Sequence, residues 1–167
     1  QRAAADDLDD ELALQPVRAG AAPATARLFR DARRTDVSLP RDLPDLLRTA
    51  AAEGGVQLPS TLLRQLERAL RAELSDIRVH TGGAAEAAAA ALGAHAFAFG
   101  RDLFFSAGSY DPTSAAGQKL IAHEVIHAMQ QPAGGAIDRA PVSEPGEAAE
   151  READALAEAF VARADRR

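Results

Sequence analysis

The chain of 167 residues is 47% hydrophobic but only 4% aromatic, which indicates one domain-sized unit with a helical core of small side chains. Its formal net charge of −6 argues against nucleic acid as a partner, because binding to the phosphate backbone needs a basic surface. The absence of cysteine excludes disulfides, thiolate zinc sites and a cysteine nucleophile. No apolar run approaches the roughly 18 residues of a membrane span, so we expect none.

Residues 1–53 are expected to form an N-terminal arm that is irregular or loosely helical and only partly ordered. The stretch DDLDDE at residues 6–11 is an acidic cluster. Four prolines interrupt helical patterning along the arm: Pro16, Pro23, Pro40 and Pro44. Two interpretations remain open, a solvated arm and a pro-segment that lies across an active site.

Residues 54–167 have the texture of a folded domain of the α+β class, mainly helical with a small sheet. Leucines at helical spacing after Pro59 predict an amphipathic helix: Leu62, Leu63, Leu66 and Leu70. Residues 75–80 alternate like a short strand, and residues 84–93 predict an alanine-rich helix that ends at Gly93. Residues 95–106 predict two short strands joined around Gly100.

Two more helices are expected towards the end of the chain. Asp111 can cap the first of them and Pro112 suits its first turn, and the helix should run to Gln131. The last helix is expected from about Glu144 to Arg163.

The helix that ends near Gln131 carries the sequence HEVIH at residues 123–127. Residues four apart on a helix lie about 40° from each other, so His123 and His127 can bind one metal ion. Glu124 is rotated by about 100° from His123, close to the metal but not a ligand. The alternative is that both histidines only form hydrogen bonds at the helix surface. The pattern is that of a zinc peptidase.

A catalytic zinc needs a third protein ligand, and no further histidine follows at the required spacing. On a helical wheel of the last helix, Glu150 lies inside the apolar arc, where a carboxylate is costly unless it meets a cation. Glu150 is therefore the predicted third ligand and Glu147 the runner-up. Asp154 lies at the edge of the same arc and can orient a ligand histidine. The usual meaning of such a charged run is a solvated helix face.

The predicted cofactor is Zn²⁺, with Glu124 as the general base of peptide hydrolysis. Tyr110 and His80 are candidate donors to the oxyanion. The favoured interpretations are structural: Tyr110 as a packing residue at the helix entry and His80 as a strand-end hydrogen bonder. His95 is treated as structural. The strands of residues 95–106 are expected to include an edge strand that binds extended substrate.

Residues 54–131 resemble the eCIS-core domain, a metallopeptidase-like domain associated with bacterial extracellular contractile injection systems. The resemblance is carried by RVHT, AFAFGRDLFFSAGSYDP and LIAHEVIHAMQQ. The later sequence EREAD is similar to the motif of glutamate zincins, in which a Glu ligand precedes an orienting Asp by four residues. This similarity supports Glu150 as the ligand, with Asp154 as the orienting residue, over Glu147. The resemblance implies a zincin-like core, a bacterial origin and association with contractile particles.

Three functions follow. The first is a zinc metalloendopeptidase, a toxin or self-processing domain, acting on a protein or peptide substrate, with its own chain as one candidate. The second is a non-catalytic packaging or docking domain that retains a structural zinc site; the third, weaker, is a metal-free helical interaction domain. Glu124 favours catalysis, because metal binding alone does not need it. We expect a monomer that contacts injection-particle components and is packaged in or delivered by the particle, after a cytoplasmic stage.

Overall fold

The computed structural model describes residues 28–30, 41–131 and 147–164, with only the backbone of residues 28–30 and of residue 147. These ranges form a mixed α+β fold, mainly helical, with five helices and one four-stranded sheet. The elements in chain order are β1 (Leu28–Arg30), α1 (Leu43–Ala52), α2 (Ser60–Leu70), β2 (Arg78–His80), α3 (Gly83–Leu92), β3 (Ala96–Phe99), β4 (Asp102–Phe105), α4 (Ala115–Gln130) and α5 (Glu147–Ala164). None of these helices combines the length and the apolar character needed to cross a membrane.

The strands of the sheet lie in the order β1-β3-β4-β2. β3 and β4 form the predicted hairpin, with Gly100 in its turn at a φ of 61°, while β2 runs parallel to β4. β1 pairs with β3 in antiparallel register. The expectation that residues 95–106 provide an edge strand is therefore wrong, because β3 and β4 are the two central strands. Val56 also forms a bridge to Val79 of β2.

Helices cover both faces of the sheet, and side chains alternate between the two faces along each strand. One face, with Leu103 and Phe105, packs in one cluster with residues of α2, α4 and α5. The opposite face, with Phe97, Phe99 and Phe104, packs in a second cluster with α1 and α3. The phenylalanine-rich hairpin thus forms the central layer of the core.

Part of the predicted N-terminal arm is regular structure. α1 buries Leu43, Leu47 and Ala50 against α3, and Pro44 lies in its first turn, where a missing N–H costs nothing. Pro44 therefore begins a helix rather than interrupting one. The acidic cluster at residues 6–11 lies outside the described residues, as do Pro16, Pro23 and Pro40, and the pro-segment interpretation stays a prediction.

The remaining elements follow the sequence closely, with one correction. α2 buries Leu62, Leu66 and Leu70, and α3 ends at Gly93 in the left-handed conformation. The predicted cap of α4 was three residues early. Ser114 is the N-cap and its side chain accepts a hydrogen bond from the Gly117 N–H, while Asp111 stabilises the turn before it.

Candidate metal centre

The HEVIH segment lies in the middle of α4, and its three polar side chains are buried. His123 is 6% exposed, while Glu124 and His127 are 0% exposed. The other side of the helix is also covered, with Ile121 and Val125 in the apolar core. Burial of both sides fixes the rotation of α4 about its axis, which keeps both imidazoles on the same side of the helix.

The C-terminal end of α4 is anchored to the sheet by Gln131. The side-chain oxygen of Gln131 accepts a hydrogen bond from the Gly100 N–H at 2.7 Å, and its amide nitrogen donates to the Ala98 carbonyl at 3.0 Å. Gln131 is itself buried. These two bonds join the helix that carries the histidines to the hairpin at the centre of the sheet.

α5 packs against α4 through small residues and brings a carboxylate to the histidines. Ala153 and Ala157 are fully buried and Phe160 nearly so, on the face that the helical wheel predicts. Glu150 lies one turn before Ala153, and its side chain is 30% exposed. The small alanine side chains let the two helices approach closely, which is how Glu150 reaches the imidazoles.

His123, His127 and Glu150 converge on one point. Their candidate ligand atoms all lie within 4.8 Å of one another. The Nε2 atoms of the two histidines are 2.8 Å apart, and the Glu150 oxygens lie 3.5 Å from Nε2 of His123 and 3.4 Å from Nε2 of His127. The structure thus brings the three predicted ligands together.

The spacing of these atoms suits a small divalent cation such as zinc. Bonds of about 2.0–2.1 Å in a tetrahedron place neighbouring ligand atoms about 3.3 Å apart. Both Glu150 distances agree with this value, and the two Nε2 atoms need to separate by only about 0.5 Å to reach the tetrahedral spacing. Two imidazoles with one carboxylate are also a donor set that zinc prefers. The residues present therefore fit the ion.

The charges around the cluster favour a cation. Burial alone would raise the pKa of Glu150, but its contacts with His123 and His127 lower the pKa to about 2. Burial alone would lower the pKa of His123, but the Glu150 contact and the charges of Glu124, Glu150 and Asp154 raise it. Three acidic side chains around two imidazoles leave an excess of negative charge, which a dication would largely offset.

Each histidine also contacts a hydrogen-bond acceptor through its other ring nitrogen. Asp154 Oδ1 lies 3.1 Å from Nδ1 of His123, the placement that the sequence predicts. Gln130 Oε1 lies 3.1 Å from Nδ1 of His127. The sequence reasoning missed Gln130, although its position three residues after His127 on the same helix was a usable signal.

The other candidate residues lie elsewhere or are not described. His80 is on the α1 side of the sheet, stacked on Phe104, with its ring nitrogens 3.0 Å from the Ala50 carbonyl and 2.7 Å from Asp102. Since α4 packs on the opposite face, the structure does not bring His80 to the cluster.

These contacts agree with the interpretation of His80 as a hydrogen bonder at the end of its strand. Tyr110 packs edge-on against Phe105 just before α4, and burial raises the pKa of its hydroxyl. His95 is exposed, and the side chain of Glu147 lies outside the described residues.

Comparison with known families identifies the central part of the chain. Residues 57–135 match the family model of the eCIS core domain. The match supports an association with bacterial contractile injection systems. It includes His123 and His127 and ends before Glu150. No curated protein and no solved structure matches the chain.

Proposed function

We propose that the protein is a zinc-dependent metalloendopeptidase that acts in the context of a bacterial contractile injection system. The observation that carries this proposal is the convergence of His123, His127 and Glu150, with the buried Glu124 beside them. The eCIS core match supports the injection-system context. The proposed substrate is a protein or peptide, with the chain itself as one candidate. A zincin-like arrangement, with the third ligand on a second helix, is part of this proposal.

In this proposal His123, His127 and Glu150 hold the ion, and Asp154 orients His123. A bound zinc ion supplies Lewis-acid chemistry, which polarises a carbonyl and makes water more acidic. Glu124 accepts the proton of the attacking water and delivers it to the amine of the leaving peptide.

A second function is favoured by the burial of the two histidines. His123 and His127 are almost inaccessible, and a structural zinc site is normally closed in this way. The alternative is a packaging or docking domain that holds zinc without catalysis. Glu124 argues against it, because a buried carboxylate that is not a ligand adds cost to a purely structural site.

The two functions separate in a comparison of wild type with Glu124→Gln. The variant should keep its zinc and lose cleavage of a protein substrate or of its own chain by about 100-fold or more, since general-base catalysis is worth that much. Zinc content is measured by elemental analysis and cleavage by mass spectrometry.

Glu158→Gln serves as the matched control, because Glu158 lies exposed on α5 and pairs with Lys119 at 2.8 Å. It should cleave like the wild type. A wild type that binds zinc but cleaves nothing, or a Glu124→Gln variant that cleaves normally, would contradict the peptidase proposal; the first result would support the docking alternative.

A further inference from the structure

The amide of Gln130 lies between His127 and an acidic residue of the neighbouring helix. Its oxygen is 3.1 Å from Nδ1 of His127, and its nitrogen is 3.0 Å from Oε2 of Glu152 on α5. Gln130 is partly buried and Glu152 is exposed. A chain of two contacts therefore runs from solvent through α5 and α4 to a histidine of the cluster.

The charge of Glu152 determines which end of the Gln130 amide faces His127. An ionised carboxylate can only accept hydrogen bonds, so the NH₂ group of Gln130 must face Glu152. The amide oxygen of Gln130 then faces His127, and an amide oxygen also only accepts. Nδ1 of His127 must consequently carry the proton.

This proton position matters for the cluster. When Nδ1 carries the proton of a neutral imidazole, Nε2 keeps a lone pair that can bind a cation. In the metal-free protein, Glu150 and His123 also attract a proton to Nε2, because both contact this atom. Nε2 is the atom that lies 3.4 Å from Glu150 and 2.8 Å from Nε2 of His123. The amide thus presents the nitrogen at the point of convergence as an electron-pair donor, which is what a metal ligand requires.

We propose that Gln130 is a positioning residue that sets the tautomer of His127 for metal binding, and that Glu152 fixes the orientation of the Gln130 amide. The inference deepens the proposed function, since it rests on the metal site of that proposal, but it does not depend on catalysis. It gives the two histidines different supports. Asp154 contacts His123 directly as a carboxylate, whereas His127 is held by a neutral amide that a carboxylate orients.

The chain offers a matched control on the same pair of helices. Lys119 of α4 donates to Glu158 of α5 at 2.8 Å, so this contact also joins the two helices from an exposed glutamate. It does not lead to a histidine. The change in zinc affinity in Glu158→Ala therefore measures the effect of losing a surface contact between the helices. The change in Glu152→Ala measures that effect together with any effect on His127.

The first test needs no metal. Nitrogen-15 NMR of the imidazoles in the metal-free protein distinguishes the two tautomers of His127. The wild type and Glu158→Ala should show a proton on Nδ1, whether or not the contacts of Nε2 with Glu150 and His123 place a second proton on that atom. Gln130→Met should lose this preference, while Gln130→Glu should keep it, because a carboxylate at residue 130 still accepts from Nδ1. An unchanged tautomer in Gln130→Met would overturn the proposal whether or not the protein cleaves peptides.

The second test measures zinc affinity by competition with a chelator. Gln130→Met and Glu152→Ala should bind zinc about 10- to 100-fold more weakly than the wild type, the usual effect of losing a group that orients a ligand. Glu158→Ala should bind like the wild type. Equal losses in Glu152→Ala and Glu158→Ala would overturn the role of Glu152 and leave only helix packing. A wild type that binds no zinc would refute the proposed function, and the tautomer measurement would still decide the role of Gln130.

Discussion

The start of α4 depends on a residue without a side chain. A Cβ atom at Gly117 would overlap the backbone carbonyl of Asp111, so only glycine lets the helix begin against the preceding turn. Asp111 holds that turn by accepting from the Thr113 N–H at 2.9 Å and from the Ser114 N–H at 3.3 Å. The Thr113 hydroxyl, which donates to Asp111 at 2.6 Å, and the Ser114 side chain, followed by the backbone contacts, hold the pKa of Asp111 well below its usual range. The first turn of the helix that carries the histidines is therefore fixed by local contacts.

Gly117→Ala should lower the free energy of unfolding by about 1–3 kcal/mol, the usual cost of forcing extra atoms into a packed site. Gly83→Ala is the control, because Gly83 begins α3 and a Cβ there meets nothing within 4 Å. The control should be neutral or gain up to about 1 kcal/mol. Urea unfolding of both variants checks this. Equal stability of the two would show that α4 can shift to accept the methyl group.

Most of the candidate centre could be predicted at the scale of single residues. The spacing of His123 and His127 and the wheel position of Glu150 are properties of a helix, and a helix has one period. His80 could not be judged in this way, because which face of the sheet it occupies depends on how the strands pair. Gln130 was missed because an amide is read as a surface residue until its two neighbours are known.

At the scale of elements, sequence patterns predicted where the helices and strands lie in the chain better than they predicted which elements pack or pair with one another. The hairpin of β3 and β4 was expected, but its central place was not, because the strands that flank it come from distant parts of the chain. The proline-rich composition hid α1, since Pro44 is a helix breaker inside a helix but is well tolerated in the first turn. Long-range pairing is the information that local periodicity lacks.

The packing of α1 leads to a prediction about the N-terminal region. Leu47 is 2% exposed and belongs to the cluster of α1, α3 and the sheet. Leu47→Ala should therefore lower the free energy of unfolding by about 2–5 kcal/mol, as for other buried leucines. Leu46→Ala, at a partly buried position on the same helix, should cost less. A change in Leu47→Ala below that of Leu46→Ala would mean that α1 is dispensable for the domain.

At the scale of the whole molecule, the cluster is built between two helices that are separate in sequence. α4 is anchored to the sheet through Gln131, and α5 closes the cluster from outside with Glu150. The eCIS core match contains α4 but ends before α5. The third candidate ligand is therefore supplied by a part of the chain outside the matched residues, and its role depends on the packing of α5 against α4.

The most direct test of this account is the zinc content of purified wild type, Glu150→Ala and Glu147→Ala, measured by elemental analysis after dialysis. Glu147 is the matched control, because it begins the same helix and was the other candidate ligand. We expect about one zinc per chain in the wild type and in Glu147→Ala, and little in Glu150→Ala. A folded wild type without metal, or full zinc retention in Glu150→Ala, would contradict the account.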